Sequence, residues 1–239
     1  MKTKRAGEWA IVTGASSGIG KAYAEELAKD GLNIMLIGNV EQQLFSVADE
    51  LCQKYKIETK IVVADFTNVS INIFVRKLPS VACLVNNVGM MGEMDLFISS
   101  RCSNSKDFIK NIIHCNTLST ATMTRIVMPK MLSQKQPNPA IINIASYSAV
   151  KVFPCFAIYA ATKAFVLQFS RSISIDKPTF FIPTAETFVK SALDMLGVES
   201  LTYGYIRHDL KAFLYDLPPQ PIWITLAKAR VKSMKKNQK

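Results

Sequence analysis

Two side chains give the first indication of chemistry. Tyr159 and Lys163, in YAATK, stand four residues apart in a stretch with helical periodicity, so both project from one face of a helix. A free phenol loses its proton near pH 10, which makes tyrosine a poor acid–base group at neutral pH unless a neighbouring cation favours the phenolate. Lys163 supplies that cation. The pair could then pass a proton to or from a reacting oxygen. The same spacing recurs at Tyr147 and Lys151 in YSAVK, but that copy lies in a loop running into Pro154 and reads as structural.

Such a helix needs a frame to aim it. Short apolar runs alternate with amphipathic stretches of helix length: WAIVTG then 19–30, NIMLIG then 41–55, KIVVADF then 70–77, ACLVNN then 105–132, AIINIAS then 156–172. Continuous apolar strands separated by helices predict a parallel sheet buried on both faces, a doubly wound α/β fold of βαβαβαβαβα order. Gly31 stops the first helix, and Pro129 kinks or ends the long one late. With 239 residues, 49% of them apolar and 20% charged, the composition suits a single core-forming domain.

The segment TGASSGIGKAYAEELA joins the first strand to the first helix. It places Gly14, Gly18 and Gly20 in the turn, with Ser16, Ser17 and Ile19 between them. Glycines let a backbone approach a pyrophosphate, and a helix N-terminus offers free N–H groups and partial positive charge to it. A tight turn without a ligand also uses glycines, but the strand–turn–helix context favours a dinucleotide. Asp65, next to Phe66 in VADFT, and Asn86, Asn87 and Gly89 in NNVG also fall at C-terminal ends of strands. Singly they read as a helix cap and a turn. Together, in order, they mark one edge of the sheet as the cofactor side.

The glycine spacing is TGxxxGxG, not GxGxxG, and with NNxG and YxxxK it resembles the short-chain dehydrogenase/reductase family, with a Rossmann-type single domain. That resemblance implies further roles. Ser146, thirteen residues before Tyr159, would orient a substrate carbonyl; Asn116, in HCNTLS on the long helix, would help hold a water that relays protons to Lys163. Tyr159 would be the general acid, and Lys163 would also bind the nicotinamide ribose. Cofactor contacts would fall on Gly14, Ser16, Ser17, Gly18, Ile19 and Gly20 in the first turn. Asp65 and Phe66 would meet the adenine end, with Asn87 and Gly89 beside the turn after strand four.

The opening GEWAIVTGASSGIGKAYAEELAKDGLNIMLIGN, LVNNVG and the later PTFFIPTAETFVKSAL with YGYIRH are similar to one branch of that family, the branch of 17β-hydroxysteroid dehydrogenase types 3 and 12. Type 12 is also a very-long-chain 3-oxoacyl-CoA reductase. The resemblance spans about residues 7 to 208, leaving 209–239 as an amphipathic basic tail. It implies NADPH, a long-chain 3-oxoacyl-CoA or 17-ketosteroid substrate, and reduction at the endoplasmic-reticulum membrane surface, with the cytoplasm as the alternative location.

Three departures qualify the resemblance. The branch carries an Arg for the 2′-phosphate of NADPH where LIGNV has Asn39. NADP(H) remains favoured over NAD(H), because no acid stands there to hold the ribose hydroxyls; Lys21 could reach the phosphate instead, but it reads first as a solvated surface lysine. The branch's hydrophobic N-terminal segment has no counterpart here, so membrane contact would be peripheral. For that contact the tail offers Phe213, Trp223 and Ile224 among basic residues, although docking on the protein's own core would use the same features.

The third departure follows the Tyr–Lys helix. FSRSISIDKPTFFIP reaches KPTFF within a few residues, where the branch has a helix end, a buried strand and a lid over the nicotinamide. Roughly two dozen or more residues are therefore expected to be missing near 172–178, since a crossover to a parallel strand takes a dozen or more. The rival expectation makes TFFIP the sixth strand.

Charge and cysteines exclude other classes. Of the net charge of +11, six positive charges lie after Asp216, on Lys228, Arg230, Lys232, Lys235, Lys236 and Lys239. No nucleic-acid motif accompanies them. The five cysteines form no CxxC pair and read as thiols of a reducing compartment, with no metal expected. A homodimer is compatible with all of this.

Overall fold

The computed structural model describes residues 6–67, 77–92, 107–151 and 154–173. The expected helix at 70–77, the stretch after Ile173 with the expected gap and the TFFIP strand, Cys102 and the basic tail lie outside the described residues, apart from Lys77 and the helix end at Ser172 and Ile173.

Five short apolar runs form one parallel sheet. They are β1 (Trp9–Thr13), β2 (Asn33–Gly38), β3 (Thr59–Val63), β4 (Val81–Asn86) and β5 (Ala140–Asn143), in the order β3-β2-β1-β4-β5. Strands pairing in parallel must be joined by crossovers, and helices supply them. The first two crossovers step outward from β1 through β2 to β3. The chain then returns to the other side of β1 for β4, and at that reversal the loops after β1 and β4 part to opposite faces and leave a crevice. This is the doubly wound Rossmann arrangement expected.

Side-chain alternation divides the interior in two. Ala10 and Val12 of β1 join Ile34 and Leu36 of β2 beneath α1 (Gly18–Lys29) and α2 (Glu41–Tyr55), where Tyr23, Leu27, Leu44 and Leu51 complete the core. Trp9, Ile11, Met35 and Ile37 face the other way, against Met123, Val127 and Met131. A register shift between Trp9 and Ala10 lets β4 contribute Val81 and Leu84 to the second core while Cys83 and Val85 enter the first.

Met123, Val127 and Met131 belong to α4 (Ser119–Ser133), which continues α3 (Phe108–Ile113) through a π-helical turn, His114–Leu118. Pro129 does not end this helix, which runs on to Ser133: its missing N–H falls in the last turns, where the loss of one ladder bond is tolerated. α5 (Ala157–Ile173) carries the YAATK residues.

The expectation of strands buried on both faces needs one correction. β1 and β4 are buried at every position, but β3 alternates between half-buried and exposed, and β5 is half-buried along its length. Each pairs with one neighbour among the described strands, whereas β1, β2 and β4 pair with two.

Candidate active site

The crevice at the β1–β4 junction is held by a polar residue that does not belong to the glycine pattern. Thr13, fully buried at the end of β1, accepts the backbone N–H groups of Asn87 and Val88 at 3.0 Å each and donates to the Val85 carbonyl at 3.3 Å. Asn87 Nδ2 answers by donating to the carbonyls of Thr13 at 3.0 Å and Gly14 at 3.2 Å. The two loops are thus tied directly to each other.

Close approach explains two of the glycines. Gly14 has φ +64°, and a Cβ there would lie 2.8 Å from Asn87 Nδ2; a Cβ on Gly20 would collide with the Gly14 carbonyl. A larger residue at either position would force the loops apart. Ser17 precedes α1 with an extended backbone and makes no side-chain capping bond, and Ser17, Gly18 and Ile19 are exposed while Ser16 is half-buried. The first N–H groups of α1 therefore open onto a backbone-lined cradle at the positive end of the helix dipole, a shape and charge that fit a pyrophosphate.

The neighbouring strand ends differ in what they offer. Asp65 is exposed and accepts from the Thr67 backbone at 2.9 Å and the Thr67 hydroxyl at 2.8 Å, a local turn cap. The Phe66 ring is buried in the second core, so only its main chain is free to meet a ligand. Asn86 turns inward, its Nδ2 donating to Asn143 at 2.8 Å and Thr124 at 3.1 Å, and so belongs to the frame. Asn39 is exposed just beyond β2. Lys21, considered for the phosphate, is instead paired with Glu50 at 2.6 Å.

The four expected catalytic residues come from three separate elements: Asn116 from the π turn, Ser146 from the loop after β5, and Tyr159 with Lys163 from α5. Asn116 sits in the π turn, where the wider helical path lets both Cys115 and Asn116 face inward. Its Oδ1 accepts the Met90 N–H at 2.8 Å; its Nδ2 donates to the Met90 carbonyl at 2.9 Å and to Thr162 Oγ1 at 3.0 Å. Thr162 in turn donates to the Tyr159 carbonyl at 2.7 Å, so one chain of bonds links the loop after β4 to α5. A Cβ on Gly89 would lie 3.3 Å from Asn116 Oδ1 and 3.5 Å from Lys163 Nζ, which places all three residues together.

Lys163 is only 5% exposed, and its ammonium donates to the Ile144 carbonyl, just past β5, at 2.7 Å. It stands 5.9 Å from the centre of the Tyr159 ring. Burial lowers its pKa from 10.5 to about 8, since desolvation penalises the charged form. The adjacent Cys115 thiol is pushed up to about 11 by burial, so it is neutral at pH 7 and does little to offset that penalty. Tyr159 is half-buried, one helical turn before Lys163 and beside Phe156, whose ring centre is 5.9 Å away. Ser146 caps the 3-10 turn Tyr147–Ala149, and that turn packs on α5.

Thr13, Thr162 and Ser148, a partner of Ser146, were missed from sequence. Thr13 had a signal, a polar residue ending an apolar strand immediately before the glycines. Thr162 and Ser148 act through contacts that only the folded chain reveals.

A glycine-bridged crevice at the strand reversal, with a buried lysine beside a tyrosine on the next crossover helix, defines a class. The short chain dehydrogenase model matches residues 8–179, and the chain belongs to the short-chain dehydrogenase/reductase family of oxidoreductases, whose fold binds NAD(P)H. Within it, the chain is 38% identical to the very-long-chain 3-oxoacyl-CoA reductase of Bos taurus, over 92% of this chain and 78% of that protein. A short-chain dehydrogenase from Sphingobium yanoikuyae in complex with NADPH is 29% identical with a TM-score of 0.61, covering 69% of this chain and 64% of that one. A 7β-hydroxysteroid dehydrogenase structure superposes with a TM-score of 0.80 over 95% of this chain and 99% of that one; at 20% identity it speaks to the fold alone. No described helix is long and apolar enough to cross a membrane.

Proposed function

We propose that the chain reduces the keto group of a long-chain 3-oxoacyl-CoA, with Tyr159 as general acid and NADPH as reductant. The observation that carries this reading is the buried ammonium of Lys163 beside Tyr159, on the helix facing the crevice. The very-long-chain 3-oxoacyl-CoA reductases supply the substrate class.

Gly14, Ser16, Ser17, Gly18, Ile19 and Gly20 would hold the dinucleotide's phosphates through backbone amides and hydroxyls. Asp65 and the Phe66 main chain would meet its adenine end, and Asn87 and Gly89 its middle. The reduced nicotinamide supplies a hydride when bound. Tyr159 delivers the proton to the carbonyl oxygen, and the Lys163 charge lowers the cost of the phenolate left behind. Ser146 donates a hydrogen bond to that oxygen. Asn116, held through its side chain, keeps the π turn in place beside Lys163, where a water could return the proton. NADP(H) is favoured over NAD(H), because Asn39 presents no carboxylate to the adenosine ribose and its 2′-phosphate would meet no repulsion there.

Oxidation of NADPH by the purified full chain tests this reading, with a long 3-oxoacyl-CoA compared against a 17-ketosteroid. Turnover of the thioester supports it. Turnover of the steroid alone moves the substrate class, and no turnover of any ketone with either cofactor overturns it.

A second reading, a shortened chain that binds cofactor but turns over poorly, is favoured by one observation. The match to the bovine relative runs over 248 aligned positions but takes up 92% of this 239-residue chain, roughly 220 residues, so about 28 positions have no counterpart here. That deficit is of the size expected for the segment missing near 172–178. Under this reading NADPH binds without turnover, and grafting in the relative's segment restores activity.

A further inference from the structure

The YSAVK stretch, which repeats the Tyr-to-Lys spacing in a loop, contains an arrangement that bears on the carbonyl. Ser146 Oγ accepts the backbone N–H of Ser148 at 3.3 Å as the cap of the 3-10 turn, and it also accepts the Ser148 hydroxyl at 3.0 Å. A serine oxygen carries two lone pairs and one proton. With both lone pairs engaged from one side, the proton is the part of Ser146 left to meet a ligand, and each accepted bond polarises the O–H further.

We propose that Ser148 is a positioning residue that fixes Ser146 as a hydrogen-bond donor aimed at the substrate's keto oxygen. The inference rests on the carbonyl-reducing role given above to Ser146. The ketone oxygen accepts from this donor in the ground state and accepts more strongly as charge develops on it during reduction.

Two measurements on the full chain test this. The first is the carbon-13 resonance of the keto carbon of labelled 3-oxopalmitoyl-CoA bound to the NADP⁺-loaded protein, which cannot reduce it. Donation from Ser146 should move the resonance downfield of its free value; S148A should shrink the displacement, S148T restore it, and S146A remove it. The second is a double-mutant cycle in turnover. S148A should lower kcat roughly fivefold, the size of one ordinary hydrogen bond, and should add nothing in the S146A background.

A full displacement in S148A, or an S148A effect that persists undiminished without Ser146, overturns the role of Ser148 and leaves that of Ser146 standing. No displacement in the wild type, or one untouched by S146A, overturns the reading on which the inference rests.

Discussion

The two sides of the crevice are built differently. On the β1–β4 side the strands are buried at every position, and the loops are cross-tied by Thr13 and Asn87. On the β5–α5 side the strand is half-buried, and order comes from a relay of side chains, Asn116 to Thr162 to the Tyr159 carbonyl and Lys163 to the Ile144 carbonyl. The first side, proposed above to grip the dinucleotide, is held by apolar burial and backbone. The second holds a charge in a place that disfavours it. On the proposed function grip and chemistry are separable, and substitutions should divide along that line.

The largest effect is expected at Tyr159. Y159F should cut kcat about a thousandfold, within the usual range for a lost general acid, while NADPH binding measured by fluorescence stays near the wild-type value. Loss of binding along with turnover would erase the distinction between the two sides. The reverse division is expected of G20V. Its side chain would run into the Gly14 carbonyl, so NADPH affinity should fall by about a hundredfold or more and the melting temperature with it. A variant that binds NADPH normally would remove the grip from the β1–β4 loops.

Lys163 tests the strain on the second side through pH. The unfolded chain keeps this proton up to about pH 10.5 and the folded chain only to about pH 8, so between these values the unfolded state binds more protons and folding stability rises with pH. Below pH 8 the full penalty is present; above 10.5 it is gone. The stability of wild type minus that of K163M should therefore move in favour of wild type by up to about 3 kcal/mol across that window, read from urea unfolding at a series of pH values. A flat difference would mean the ammonium is well solvated.

The smallest effect is expected at Thr162. T162V removes one of the three bonds that hold the Asn116 side chain, since Nδ2 keeps the Met90 carbonyl, and should cost about 1 kcal/mol of stability with partial loss of kcat. T162S should recover most of both.

These contrasts also mark how far the sequence could be read. The first side is written in local spacing: Gly14, Gly18 and Gly20 fall between a buried strand and an amphipathic helix, and a doubly wound sheet follows from alternating apolar runs. Tyr159 and Lys163 could be paired because a helix brings residues four apart onto one face. What escaped was set by distant partners. Nothing near Lys21 foretold Glu50, and nothing near Asn116 foretold that a π turn would aim it at Met90 and Thr162. Half-burial of β5 escaped for the same reason, because an AIIN run looks identical whether or not other parts of the chain pack over it.

The central claim is that this crevice sets a nicotinamide against a carbonyl in reach of Tyr159, and an isotope transfer tests it most directly. NADPH carrying deuterium on the transferring face of nicotinamide C4 is incubated with 3-oxopalmitoyl-CoA and the full chain. The account predicts a 3-hydroxyacyl product with the deuterium on its carbinol carbon, formed by wild type and lost in Y159F. A product without the label, or one formed equally well by Y159F, would contradict it.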